Sequence, residues 1–114
     1  MNHTSDNRLL RIFIGESDSY EGRPLYEAIV GALRKRGLAG TTVVRGIEGF
    51  GKSSTLHTAH ILRLSEDLPI IIECVDTAEA IEGVLPEIDR MIGDGLVTLE
   101  RVEVRVHRGG TGAR

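Results

Sequence analysis

The chain has 114 residues, 40% of them apolar and 27% charged, with a formal net charge of -3. That length suits one compact unit with a real core and is too short for two ordinary domains. The acidic balance gives no bulk attraction to nucleic acid or to an anionic membrane, and no apolar run approaches the roughly 20 residues of a membrane span.

Residues 1–7 read as a disordered tail without the features of a signal peptide, so a cytoplasmic protein is expected. "RLLRIFIG" predicts a strand closed by Gly15. After a polar turn, Pro24 suits the first turn of a helix in which Leu25, Ile29 and Leu33 share one face. Arg34, Lys35 and Arg36 complement the negative end of that helix, and Gly37 stops it. This basic cluster is therefore read as helix chemistry, not as a nucleic-acid patch.

"TTVVRGI" predicts a second strand, and "LPIIIECV" a third that is apolar on both faces and so covered on both. Cys74 lies in that run as a small buried hydrophobe, leaving no disulfide framework. "DTAE" is a capping start for a second helix, with Ile81, Val84, Leu85, Ile88, Met91 and Ile92 as its stripe. Pro86 is expected to kink or interrupt that helix. Gly93 and Gly95 end it, and "LVTLERVEVRVHR" supplies a last extended segment. Its apolar residues change parity between Leu99 and Val102, which predicts a bulge or bend near Glu100 and Arg101. Residues 109–114 read as a flexible tail.

Strand, helix, strand, strand, helix, strand is the order of an α+β, ferredoxin-like βαββαβ domain over residues 8–108. It predicts a four-stranded antiparallel sheet with two helices on one face. The other face is then open, and another copy of the chain is the simplest cover.

From Gly46 to Ser53 the chain also satisfies G-x-x-x-x-G-K-[ST]. A P-loop works only between a strand of a parallel sheet and a firm helix whose amides face the phosphates. "KSSTLHTAHILRL" is a poor helix and too little chain remains for such a sheet, so a small phosphate-handling enzyme is the least favoured reading. Gly46, Gly49, Gly51 and Lys52 retain the means to approach an anion without hydrolysing anything. His57 and His60 have metal-like spacing, but no third ligand is evident, and no catalytic set stands out.

"EGFGKSSTLHTA", "IGDG" and "RVHRGG" together resemble the PII-like signalling proteins. "GFGKSSTLHTAHILRLSEDLPIIIE" followed by "GLVTLE" is similar to the PII-like family called domain of unknown function 190. The resemblance implies a non-enzymatic regulator that forms a homotrimer with its sheets turned inward. It implies an adenine nucleotide effector (ATP, ADP or AMP type) in clefts between subunits, with no required cofactor. Carried over, the ligand-binding residues are Gly49, Phe50, Gly51 and Lys52; Gly93, Asp94 and Gly95; and Arg105, with Arg108 nearby. Leu96 stands where such proteins usually carry lysine, and His107 where a second arginine is usual. These departures remove phosphate charges and leave room for a less charged nucleotide or another small anion. The loop over residues 47–64 is expected to contact a partner protein. Members of the family are often encoded beside membrane channels or transporters, so a partner of that class is implied. A trimeric interaction protein without any ligand is the alternative.

Overall fold

The computed structural model describes residues 6–49 and 67–109, and the main chain alone at 57–58. Four principal strands, β1 (Asn7–Gly15), β2 (Thr42–Arg45), β3 (Pro69–Thr77) and β4 (Leu96–Val102), form one sheet. The order across the sheet is β2, β3, β1, β4, and every neighbouring pair is antiparallel. Helices α1 (Leu25–Lys35) and α2 (Ala78–Met91) complete the ferredoxin-like arrangement.

Side chains alternate along each strand, and the register decides which face each one joins. Leu10, Ile12 and Ile14 of β1 lie opposite Cys74, Ile72 and Ile70 of β3. These six pack against Leu25, Ile29 and Leu33 of α1 and Ile81, Val84 and Ile88 of α2, all of them buried. Each fully buried aliphatic side chain contributes roughly 1.5–3 kcal/mol relative to exposure, so this layer dominates the fold's stability.

α1 stops where glycine permits it. Gly37 takes φ 78, its N–H donates to the Arg34 carbonyl at 3.0 Å, and the Leu38 N–H donates to the Leu33 carbonyl at 3.1 Å. This is a Schellman closure, which needs a left-handed residue after the cap. Arg36, just past the helix, donates to Glu87 of α2 at 3.0 Å. At the start of α2 the Thr77 hydroxyl accepts from the Ala80 N–H at 3.1 Å. Asp76, buried beside it, accepts from Ala39 N–H and Thr77 N–H, each at 2.7 Å, and ties the segment after α1 to the end of the sheet.

Two local expectations, an interruption of α2 at Pro86 and a bulge in β4, are corrected. α2 runs through Pro86 without interruption. Pro86 and Glu82 both lie on the exposed side, so the Glu82 carbonyl freed by the missing N–H faces water. No bulge occurs at Glu100 and Arg101 either, because β4 pairs one-to-one with β1 from Asn7↔Val102 to Phe13↔Leu96. The change of parity is real, but it distributes Val97 and Leu99 to the helix side and Val102 to the open side of an uninterrupted edge strand.

The face away from the helices carries Leu9 and Phe13 of β1, Ile71 and Val75 of β3, Val44 of β2, and Leu96 and Val102 of β4. An ionic stripe crosses it: Arg11 donates to Glu73 at 2.7 Å and to Glu100 at 3.3 Å. The Glu73 hydrogen bond, helped by the Glu73 and Glu100 charges, raises the pKa of the Arg11 guanidinium against a smaller opposing effect of burial. Among the described residues no helix is long and apolar enough to cross a membrane.

Candidate functional site at one end of the sheet

The glycine-rich loop leaves β2 at Gly46 and its chain returns to β3 at Pro69, and these two points are fastened together. The Gly46 N–H donates to the Pro69 carbonyl at 2.7 Å. A Cβ on Gly46 would stand 2.9 Å from Pro69 Cγ, and one on Gly49 would stand 3.1 Å from it. Both glycines therefore let the main chain lie on the proline ring. Gly49 also pairs with His57 in a two-residue ladder of Glu48–Gly49 with His57–Thr58.

The end of β1 supplies a second clasp. Glu16 N–H donates to the Leu68 carbonyl at 2.8 Å, and Ser17 N–H donates to Asp67 Oδ1 at 3.0 Å. Asp18 accepts from the Gly15 N–H at 2.9 Å, and Arg45 pairs with Glu16 at 2.9 Å. Pro69 and Asp67 are the residues that sequence reasoning missed as organisers of this site. "EDLP" signals a turn, but nothing in it says that the turn meets the end of β1.

The Gly93–Gly95 turn lies at the same end of the sheet but beside the opposite edge strand. A Cβ on Gly95 would stand 2.8 Å from the Phe13 carbonyl oxygen, 3.1 Å from Ile92 Cγ2 and 3.2 Å from Ile14 Cγ2, whereas Gly93 has nothing within 4 Å. Gly95 is thus needed for packing on β1, and Gly93 is free of that constraint. β2 and β4 are separated by β3 and β1, three strand spacings or about 14 Å. Within one chain, the described base of the glycine-rich loop and the Gly93–Gly95 turn stand on opposite edges of the sheet.

Arg105 and Arg108 follow Val102, which pairs with Asn7, and so leave β4 at the other end of the sheet. Both are exposed, with Arg105 placed 3.6 Å from Glu103. Phe50, Gly51 and Lys52, His60, and most of the expected 47–64 loop lie outside the described residues, as does the His57 side chain. Among the described residues no group of three or more His, Cys, Asp and Glu gathers at metal-binding distance.

Residues 7–104 match the DUF190 family, described as an uncharacterized ACR. The chain belongs to the DUF190 family. A UPF0166 protein of Aquifex aeolicus is 41% identical over 97 residues, covering 85% of this chain and 91% of that one. Among solved structures, the fold is similar to CPII of Thiomonas intermedia K12, a nitrogen regulatory PII-like protein bound to ADP, AMP and bicarbonate. That match has a TM-score of 0.68 at 19% identity and covers 86% of this chain and 87% of CPII. PII of Arabidopsis thaliana, bound to citrate, matches with a TM-score of 0.61 at 21% identity over 96% of this chain and 94% of that one. The DUF190 chain therefore has the PII-like fold, in keeping with the ferredoxin-like arrangement of its sheet and helices.

Proposed function

We propose that this DUF190 protein is a PII-like signal-transduction protein that binds an adenine nucleotide or another small anion in clefts between the subunits of a homotrimer. The observation that carries the reading is the split site. The loop base at Gly46 and Gly49 and the turn at Gly93–Gly95 sit at one end of the sheet on opposite edges, so a second copy is needed to complete a pocket between them. The open face of the sheet supports such an assembly, since Val44 and Leu96 are exposed there beside the half-buried Leu9, Phe13, Ile71 and Val75, and contiguous exposed apolar surface marks an interaction site. The ADP and AMP bound to CPII support the ligand class.

Lys52 is the proposed anion contact of the loop, with Phe50 and the two glycine turns as walls, and Arg105 and Arg108, which leave β4 at the other end of the sheet, are proposed to reach the anion from a neighbouring copy. Binding orders the loop over residues 47–64 and changes its affinity for a partner protein, a shift of population and not a reaction. A membrane transporter or channel is the proposed partner class. The wholly antiparallel sheet is not the parallel framework on which a P-loop hydrolase depends, which weighs against the phosphate-handling enzyme. The ligand-free interaction trimer keeps one supporting observation: packing on Phe13 alone accounts for Gly95.

The test is thermal unfolding against ATP, ADP, AMP, cyclic nucleotides and simple anions, with and without magnesium. A ligand that binds only the folded state at 100 times its Kd stabilises by about 2.7 kcal/mol, a readily visible rise in Tm. The expected result is a saturable rise with one nucleotide that shrinks in Lys52→Ala and Arg105→Ala. No rise with any nucleotide at millimolar concentration overturns the sensor reading.

A further inference from the structure

The register sorts the open face of the sheet into rows, since directly opposed residues of neighbouring strands share a face. One row crosses all four strands as Thr42, Glu73, Arg11 and Thr98, each paired with the next. It is polar from edge to edge. The row on one side of it is Val44, Ile71, Phe13 and Leu96, wholly apolar, and the row on the other side is Val75, Leu9 and Glu100. A face meant only to adhere gains nothing from a charged row through its middle, because charges taken out of water cost more than they return unless each one is paired.

The row is paired within the chain but not saturated. Arg11 donates through Nε to Glu73 Oε2 at 2.7 Å and through Nη1 to Glu100 Oε1, which reaches in from the next row, at 3.3 Å. Among the described residues Arg11 Nη2 has no acceptor, and Glu73 Oε1 and Glu100 Oε2 have no donor. A guanidinium offers more N–H donors than these two bonds use, and each carboxylate accepts at both oxygens. The side chains of Arg11, Glu73 and Glu100 are 39%, 35% and 63% exposed, so the spare groups are open to a neighbour. Holding spare donors and spare acceptors together, the row is complementary to a second copy of itself.

We propose that this polar row sets the register in which the open faces of two copies meet. Row lies against row, and the spare Arg11 N–H groups of one copy donate to the spare carboxylate oxygens of the other. Successive residues on one face are two positions apart, about 6.7 Å along the strand. Sliding one copy by that step lays the polar row against Val44, Ile71, Phe13 and Leu96 and leaves its spare groups buried without partners, which disfavours the slipped contact. The apolar rows supply adhesion without direction, and the polar row supplies the direction. The inference rests on the assembly proposed above and names what aligns its copies.

The test refolds two forms of the full-length chain together, one of them isotopically labelled, and reads the composition of the assemblies by native mass spectrometry. One form is wild type. The other carries Arg11→Glu, Glu73→Arg and Glu100→Arg, which reverses every charge of the group and so preserves the pairing within the chain. The expected result is self-sorting: each form assembles with its own kind to the same size. Hybrids fall about tenfold or more below their statistical share, because native and reversed rows present like charges to each other. Statistical mixing of the two forms overturns the role of the row and leaves the assembly standing. Arg11→Met decides the matter should the reversed chain not fold or not assemble. It leaves Glu73 and Glu100 without their cation, and the dissociation constant of the assembly is expected to rise about tenfold or more. An unchanged dissociation constant overturns the proposal, and a monomeric wild-type protein overturns both the proposal and the assembly.

Discussion

Substituting alanine at the two glycines of the Gly93–Gly95 turn separates packing from ligand binding. At Gly95 the new methyl would meet the Phe13 carbonyl oxygen at 2.8 Å and the Cγ2 atoms of Ile92 and Ile14 at 3.1 and 3.2 Å. The isoleucines can give by a few tenths of an ångström, but the carbonyl is held in the β1–β4 ladder and cannot. Overpacking of this kind costs about 1–3 kcal/mol. The lower unfolded-state entropy of alanine returns about 0.4–1 kcal/mol. The net loss for Gly95→Ala is on the order of 1–2 kcal/mol. At Gly93 nothing stands within 4 Å and φ lies outside the left-handed region, so Gly93→Ala changes stability by less than about 0.5 kcal/mol. Urea unfolding at one fixed protein concentration reads the contrast. With a slope of about 2 kcal/mol/M, Gly95→Ala lowers the midpoint by roughly 0.5–1 M and Gly93→Ala leaves it in place. Equal midpoints for the two variants would refute the packing argument at Gly95. If Gly93→Ala also weakens the nucleotide response at unchanged stability, the loss belongs to the ligand and not to the fold.

Asp76→Ala removes the acceptor of the Ala39 and Thr77 amides, and leaving such a donor unmet costs about 1–3 kcal/mol, measured by the same urea midpoint. Leu96→Lys adds the charge that the resemblance to PII-like proteins implies after the glycine turn. Calorimetric titration is expected to show a gain for ATP larger than that for AMP, and an equal gain for both argues against a phosphate contact there. Acid titration should loosen the start of β1. The Arg8 hydrogen bond holds the Asp6 carboxyl below the ordinary 3.8. A carboxyl lowered on folding stabilises above its unfolded value and loses that stabilisation as pH falls through the folded one. The protection of amides near Arg8, with exchange rates corrected for their intrinsic pH dependence, is therefore expected to fall below pH ~4 and to stay flat above pH ~5, and Asp6→Asn should remove the step. The Arg11 pair acts in the opposite sense: a raised guanidinium keeps its contribution at every pH below its unfolded value, so it adds no pH dependence between pH ~5 and ~9.

Periodicity alone located the helices because their buried residues, Leu25, Ile29 and Leu33 in one and Ile81, Val84 and Ile88 in the other, recur at three- and four-residue spacing. β3 was equally legible, since alternation of buried and half-buried residues over its full length needs apolar side chains on both faces. Pro86 misled because its cost depends on which side of the helix the freed carbonyl faces, and local pattern does not reveal that. The parity change in "LVTLERVEV" misled for a related reason. An edge strand with one half-covered face can move its valines from one side to the other without inserting a residue. In the candidate site, glycines at 46, 49 and 95 were visible as glycines, but the partners that require them, Pro69 and the Phe13 carbonyl, come from distant parts of the chain. The division of the site between two edges follows from strand order, which no single motif encodes.

The clasp formed by Gly46, Glu16 and Ser17 with Asp67, Leu68 and Pro69 insulates the sheet from whatever lies between its ends. Once the two ends of a connection are held, added length raises its closure cost only slowly, about 0.6 kcal/mol per doubling. What the fold requires at this end of the sheet is therefore carried by the anchors and not by the length of the connection between them. Recognition of different partners can diverge there while the glycine and proline anchors, and the register of all four strands, stay as they are.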